Sequence, residues 1–296
     1  MDKYKKSCVL IFLMLTVLLS ACGEAEALIR KAETTPTYLA KTSPTASART
    51  LTPTRTVVPT STVTPTGSAV PVTATSVPSY PVLTGGRFTT LSPGSPLPGD
   101  ATCAASIRRS SWEPRPDNTG ANHTNVYVQG YRLTGGDMQN YGYQGRVTGN
   151  FTGTTDEIIQ WGACKWGIDE DIVRAQAVQE SNWHQSDLGD CDGGVAPGGC
   201  QSVGILQVKG ADSPPTYPGT WPYASRSTAF DVDFMLGIMR ACYEGKETWL
   251  GNGYHAGDIW GCVGRWFSGD WYQNSQDYIS LIQKHLAVKA WSKPGF

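Results

Sequence analysis

Four stretches in the second half of the chain space apolar and polar residues at the period of an α-helix. In "TTDEIIQWGACKWG" (154–167), Thr154 or Thr155 is the cap, acids fill the first turn, Ile158, Ile159 and Trp161 are burying positions, and Gly167 ends the run. "DEDIVRAQAVQES" (169–181) takes Asp169 as its cap and puts Val173, Gln176, Ala177 and Glu180 on one side, at offsets of three, four and seven. "STAFDVDFMLGIMRACYEG" (227–245) repeats Phe230, Phe234, Met235, Ile238 and Cys242 at three and four, the signature of a core helix. "SQDYISLIQKHLAVKAW" (275–291) gathers Tyr278, Leu281, Ile282 and Leu286 on one side, with His285 interrupting the stripe.

Ahead of these runs, Cys103 to Phe151 is rich in Gly, Asn, Tyr and Arg and has little helical periodicity. It reads as ordered loop, with "NVYVQGY" (125–131) a candidate short extended piece. The fold class expected is mainly α in one globular, disulfide-bearing domain, with α+β as the alternative if short strands form around the glycine-rich loops.

The first residues differ in kind. Lys3, Lys5 and Lys6 precede the apolar run "CVLIFLMLTVLL" (8–19), which is short for a membrane span and reads as an export signal. Ser20 and Ala21 directly before Cys22 resemble the lipobox of bacterial lipoproteins. That resemblance implies cleavage that leaves Cys22 as a lipidated first residue and removes Cys8, with the chain exported and anchored to the cell membrane or outer membrane. Residues 32–82 are Thr, Pro, Ser, Ala and Val with few large apolar side chains, a composition that cannot offset the entropy of ordering and suits a tether. The expected division is residues 1–21 signal, 22–85 tether, 86–150 a loop-rich N-terminal part of the folded domain, and 151–296 its core.

From Arg87 to Phe296 there are 16 lysines and arginines against 21 aspartates and glutamates, a formal net of −5. With no basic stripe, a nucleic-acid partner is not expected. Six cysteines remain in this part, an even number that argues for disulfides in an exported chain. Cys191 with Cys200 closes the short loop "CDGGVAPGGC", and Cys103 with Cys164 and Cys242 with Cys262 complete one of the 15 connectivities that six cysteines allow. No CxxC pair supports a zinc site, and no metal is expected.

Glu180 is the residue that raises chemistry. A carboxyl set against a packed helical face is partly desolvated, which raises its pKa and lets it hold a proton near neutrality. Downstream come "GILQ" (204–207) and "GYHAG" (253–257), and these with "QES" (179–181) resemble, in order, the motifs of the soluble lytic transglycosylase family. The resemblance covers roughly Thr155 to Trp291. It implies a lysozyme-like fold related to goose-type lysozyme, action on peptidoglycan glycan strands, and no cofactor. Residue by residue it implies Glu180 as catalytic acid and base, Ser181, Gly204 and Gln207 as substrate-binding neighbours, and Tyr254 as the tyrosine that hydrogen-bonds the acid. Here His255 stands where asparagine is usual, and the loop from Glu180 to Gly204 is long.

In the mechanism implied, the substrate's own N-acetyl group stabilises the charge at C1 and a 1,6-anhydro ring closes without water. A hydrolytic muramidase is the alternative. It needs a second carboxylate, for which Asp187, Asp190 and Asp192 are the candidates. A noncatalytic peptidoglycan-binding lipoprotein is the third reading. Trp183, Trp221, Trp260, Trp266 and Trp271, with Trp112, Tyr127 and Tyr131, are available either to pack the domain or to stack on sugars.

Overall fold

The structure, a computed structural model, describes residues 86–251 and 253–296. The signal, Cys22 and the tether lie outside the described residues. The chain is mainly helical, with three disulfides in the pairing set out above: Cys103–Cys164, Cys191–Cys200 and Cys242–Cys262.

Residues 86–150 carry only short helices: α1 (Asp100–Ser106), α2 (Thr119–Asn122) and α3 (Gly136–Asn140). The stretch 125–131 is a turn and not an extended piece. Asn125 accepts from the Val128 amide through its side chain at 3.0 Å, Gly130 takes φ +91°, and the Tyr131 amide returns to the Val126 carbonyl at 2.9 Å. A side-chain acceptor beside a left-handed glycine folds the backbone back locally, which a pattern of Val and Tyr alone does not reveal. The aromatics of this region pack: Tyr131 stacks on Tyr223, Trp112 meets Trp183 edge-on, and the Arg132 guanidinium covers Tyr127.

The periodic runs form α4 (Thr155–Trp166) and α5 (Glu170–Ser181). Thr154 and Glu157 close a reciprocal capping box on α4, and Gly167 ends it at φ +57°. Asp169 caps α5 by accepting from the Asp171 and Ile172 amides. Between the helices Arg174 is buried and bonded to Asp156, Glu170 and Asp171 at 2.7–2.9 Å.

A small antiparallel sheet of β1 (Leu188–Gly189), β2 (Ser202–Val203) and β3 (Val208–Lys209) follows, with β2 in the middle. The register pairs Gly189 with Ser202 and Ser202 with Lys209. Helix α6 (Tyr223–Arg226) leads into α7 (Thr228–Tyr243), in which all 16 residues are buried. Helix α8 (Ile259–Ser268) comes from a stretch whose two glycines, Gly261 and Gly264, lower its helix propensity, and is capped by Asp258. Helix α9 (Gln276–Val288) lies along α5. It buries Tyr278, Ile279 and Ile282, while Leu281 faces outward at 41% exposure, so the inward face is turned from the expected one.

A fully buried helix can hold charge only where that charge is paired. On α7, Asp233 accepts from the Trp166 indole at 2.7 Å and from the Thr148 and Gly149 amides at 2.7 and 2.8 Å, and it pairs with the buried Lys165 ammonium at 2.7 Å. Lys165 also reaches Asp100 at 2.7 Å, tying α1, α4 and α7 together. Replacing Lys165 with Met leaves the Asp233 charge buried without its cation. The expected cost is about 3–5 kcal/mol in denaturant unfolding, and Lys165→Met combined with Asp233→Asn should recover a measurable part of it.

Candidate active site

Helix α5 ends just past Glu180. Asn182 and Trp183 both take left-handed backbone angles, φ +51° and +66°. Asn is suited to such a cap, but Trp is held there by its surroundings. The Trp183 indole donates to the Arg174 carbonyl at 3.0 Å, and its own carbonyl accepts from Asn118 at 2.7 Å. The chain therefore leaves the helix abruptly, and Glu180 stands at the wall of a cleft of about 550 Å³ that is also lined by Asp190, Gln207, Lys209, Arg265, Trp266 and Phe267.

Glu180 is half-buried, and its pKa is pushed up to about 7. Burial is the largest cause, and the negative charge of Asp190 adds to it; a hydrogen bond from Tyr278 opposes both. The Tyr278 hydroxyl, buried on α9, donates to Glu180 Oε1. It accepts in turn from the Gln176 amide at 3.1 Å, one helical turn before Glu180, which aims the hydroxyl proton at the carboxyl. Tyr278 thus occupies the place that sequence reasoning assigned to Tyr254. In the sequence it belongs to an apolar stripe. The available signal was a tyrosine within an aliphatic stripe, whose hydroxyl must find a partner once buried.

Tyr254 belongs elsewhere. Its hydroxyl donates to the Cys242 carbonyl at 2.6 Å and accepts from the Glu247 amide at 3.0 Å, beside the Cys242–Cys262 disulfide. His255 is exposed, near Trp271. Ser181 also departs from a substrate-facing role: it is buried, and its hydroxyl donates to the Ile205 carbonyl at 2.9 Å. A side chain following the acid on a helix points about 100° away from it, here into the turn that carries the next motif.

That turn, Gly204 to Gln207, is where the sequence motif becomes geometry. Gly204 has φ +87°, and a methyl group on it would come within 2.3 Å of Asp231 Oδ2 on α7. Asp231 Oδ1 accepts from the Leu206 amide at 2.8 Å. Its pKa is raised well above the usual carboxylate range by complete burial, against the pull of that hydrogen bond. Gln207 lines the cleft at φ +54°, with its amide donating to the Gly204 carbonyl at 2.9 Å and to the Asp187 carbonyl at 3.3 Å. Its Oε1 passes over Gly189, where a methyl group would lie 2.2 Å away.

Of the three loop aspartates, Asp190 lines the cleft, at 57% exposure, accepting from Ser202 at 2.6 Å and facing Lys209 at 3.7 Å. Asp187 and Asp192 are exposed and do not line it. Trp266 is the tryptophan that does: its indole donates to the Leu206 carbonyl at 3.1 Å, and its ring stacks on Tyr217. Beside it Phe267, 58% exposed and not singled out in the sequence, stacks on Tyr278 with centroids 4.7 Å apart.

Among the described residues no group of three or more His, Cys, Asp or Glu side chains is placed to hold a metal ion, and no helix is long and apolar enough to cross a membrane. No family model, curated protein or solved structure matches the chain. The arrangement itself can do one thing well: present a proton at neutral pH from Glu180, into an open cleft, under the control of one tyrosine.

If protonated Glu180 is the working form, any Glu180-dependent rate falls as pH rises through about 7. Tyr278→Phe removes a donor that favours the ionised carboxyl, so the fall should move to higher pH, as read from kcat/KM profiles. Gly204→Ala should destabilise by about 2–4 kcal/mol in denaturant unfolding, since it combines left-handed strain with a clash against Asp231.

Proposed function

We propose that the chain is a peptidoglycan lytic transglycosylase with a lysozyme-like arrangement, in which Glu180 works first as acid and then as base. The observation that carries this reading is the half-buried carboxyl with a pKa of about 7 on the wall of the cleft, bonded to Tyr278. A glycosidic bond breaks when its departing oxygen is protonated while positive charge develops at C1, and a carboxylic acid poised near the working pH supplies that proton.

In the first step Glu180 gives its proton to the oxygen leaving C1 of MurNAc. The C1–O bond breaks, and the carbonyl oxygen of the MurNAc N-acetyl group bonds to C1. In the second step the C6 hydroxyl oxygen attacks C1 and displaces the N-acetyl oxygen, while its proton passes to Glu180. The acid is restored, a 1,6-anhydro end is left, and no water or cofactor is consumed. Tyr278 supports both steps: its hydroxyl stabilises Glu180 when ionised, and the Gln176 bond keeps it aimed. Gln207 and Phe267, which line the cleft, would contact the sugars, Phe267 through its exposed ring.

One observation favours a second reading, hydrolysis. Asp190 lies in the same cleft as Glu180, where a second carboxylate could hold an attacking water or steady the charge at C1. In either case the proposed setting is the cell wall. Lipidated Cys22 and the Thr/Pro-rich segment after it would hold the domain outside the membrane but within reach of glycan strands.

The test is digestion of purified peptidoglycan by the full chain in detergent, with the products weighed. Fragments one water lighter than hydrolysis products establish the transglycosylase, and reducing ends establish the hydrolase. Glu180→Gln should lower the rate by a factor on the order of 100 to 10,000. Asp190→Asn should leave anhydro-product formation within a few-fold of wild type, whereas a hydrolase would lose most of its rate. An unaltered rate in Glu180→Gln would sink the assignment.

A further inference from the structure

The proposed chemistry leaves one cation in the cleft without a task. Lys209, on β3 opposite Ser202, reaches the same space as Glu180 and Gln207 and is 39% exposed. Its nearest carboxylate, Asp190 Oδ2, is 3.7 Å away, beyond hydrogen-bond range, and already accepts from Ser202 at 2.6 Å. Among the described residues the Lys209 ammonium donates no hydrogen bond, and this long ion pair is its one charged partner. The other cation there, Arg265, is committed: it is buried, pairs with Glu247 at 2.6 Å and donates to the Tyr217 hydroxyl at 2.7 Å.

A cation with no hydrogen-bond acceptor, lining the same cleft as Glu180, is suited to an anionic group on the substrate. Of the two sugars in a glycan strand, GlcNAc carries no carboxylate, while MurNAc bears a lactyl ether that ends in one. Where that lactyl group is amide-linked to a stem peptide, the peptide brings carboxylates of its own. Resting on the glycosidase reading above, we propose that Lys209 binds a carboxylate carried by a MurNAc residue of the bound strand. The cleft then selects the acidic glycan over uncharged GlcNAc polymers. Asp190, whose Oδ2 is 3.7 Å from the ammonium, competes with the substrate carboxylate for Lys209, so the strand's acid must displace this long, exposed ion pair.

The test compares wild type, Lys209→Gln and Lys209→Arg, each as the full chain in detergent, on three preparations: strands stripped of peptide with free lactyl carboxylates, the same strands with those carboxylates capped as methylamides, and strands with stem peptides. Lys209→Gln should raise KM about tenfold on free-lactyl strands, with kcat little changed and no change in KM on the capped strands. Tenfold corresponds to about 1.4 kcal/mol, near the lower end for a hydrogen bond to a charged group. Lys209→Arg should restore most of the wild-type KM. A rise confined to peptide-bearing strands also supports the proposal and identifies the peptide as the source of the carboxylate. An equal rise on capped and free strands, or no rise on any, overturns it while leaving the glycosidase reading intact. Failure of wild type to cleave any of the three overturns that reading, and the proposal with it.

Discussion

The buried turn from Gly204 to Gln207 has peptide groups that water cannot reach, and every such group needs a partner inside the protein. Four elements supply them. The Ile205 carbonyl accepts from Ser181 at the end of α5, and its amide donates to Gln185 in the loop that follows; the Leu206 amide donates to Asp231 on α7, and its carbonyl accepts from Trp266 on α8. The turn is therefore the place where α5, α7, α8 and the small sheet are fixed relative to one another. Because Ser181 adjoins Glu180 and Gln207 closes the turn, satisfying this backbone also brings the acid and Gln207 into one cleft.

Helix α7 serves both halves of the molecule through two aspartates two residues apart. Asp231 faces the turn, and Asp233 faces Lys165, Trp166 and the Thr148–Gly149 backbone. Residues two apart on a helix point about 200° from each other, so one helix holds the site on one side and the scaffold on the other. The partners differ accordingly. Asp233 has a lysine and behaves as a structural anion. Asp231 has no cation and one unpartnered oxygen, and burial drives it toward the neutral acid.

The sequence made the long helices legible because their caps and stripes agree. Thr154 with Glu157, Asp169, and Gly167 mark ends that the structure keeps. Helix α8 was less legible, because Gly261 and Gly264 lower its helix propensity and are there for close packing: a methyl on Gly261 would meet the Trp271 ring, and one on Gly264 would meet Ser275. Within the site, Glu180 and the GILQ turn were visible as local patterns. Tyr278 was not, because its bond to Glu180 spans 98 residues and depends on how α9 lies on α5. Tyr254 misled for the complementary reason: a tyrosine in a suggestive motif can be fully used by nearby backbone, here Cys242 and Glu247.

On the proposed reading, anhydro-ring closure and hydrolysis share the first proton transfer and part only over which oxygen reaches C1. Glu180 and Tyr278 serve both courses equally, so the difference must lie elsewhere in the cleft. There Asp190 is held by Ser202 and set near Lys209, on a short sheet whose residues 188–189 and 202–203 fix its direction. An aspartate so placed has two competing uses: holding a water for attack, or shaping the charge that a strand meets as it enters. If Lys209 takes a substrate carboxylate, the bound strand fills the space beside Asp190 and leaves less room for a water there. The same contact that selects an acidic glycan would then favour the C6 hydroxyl as nucleophile, making substrate choice and reaction outcome two consequences of one lysine.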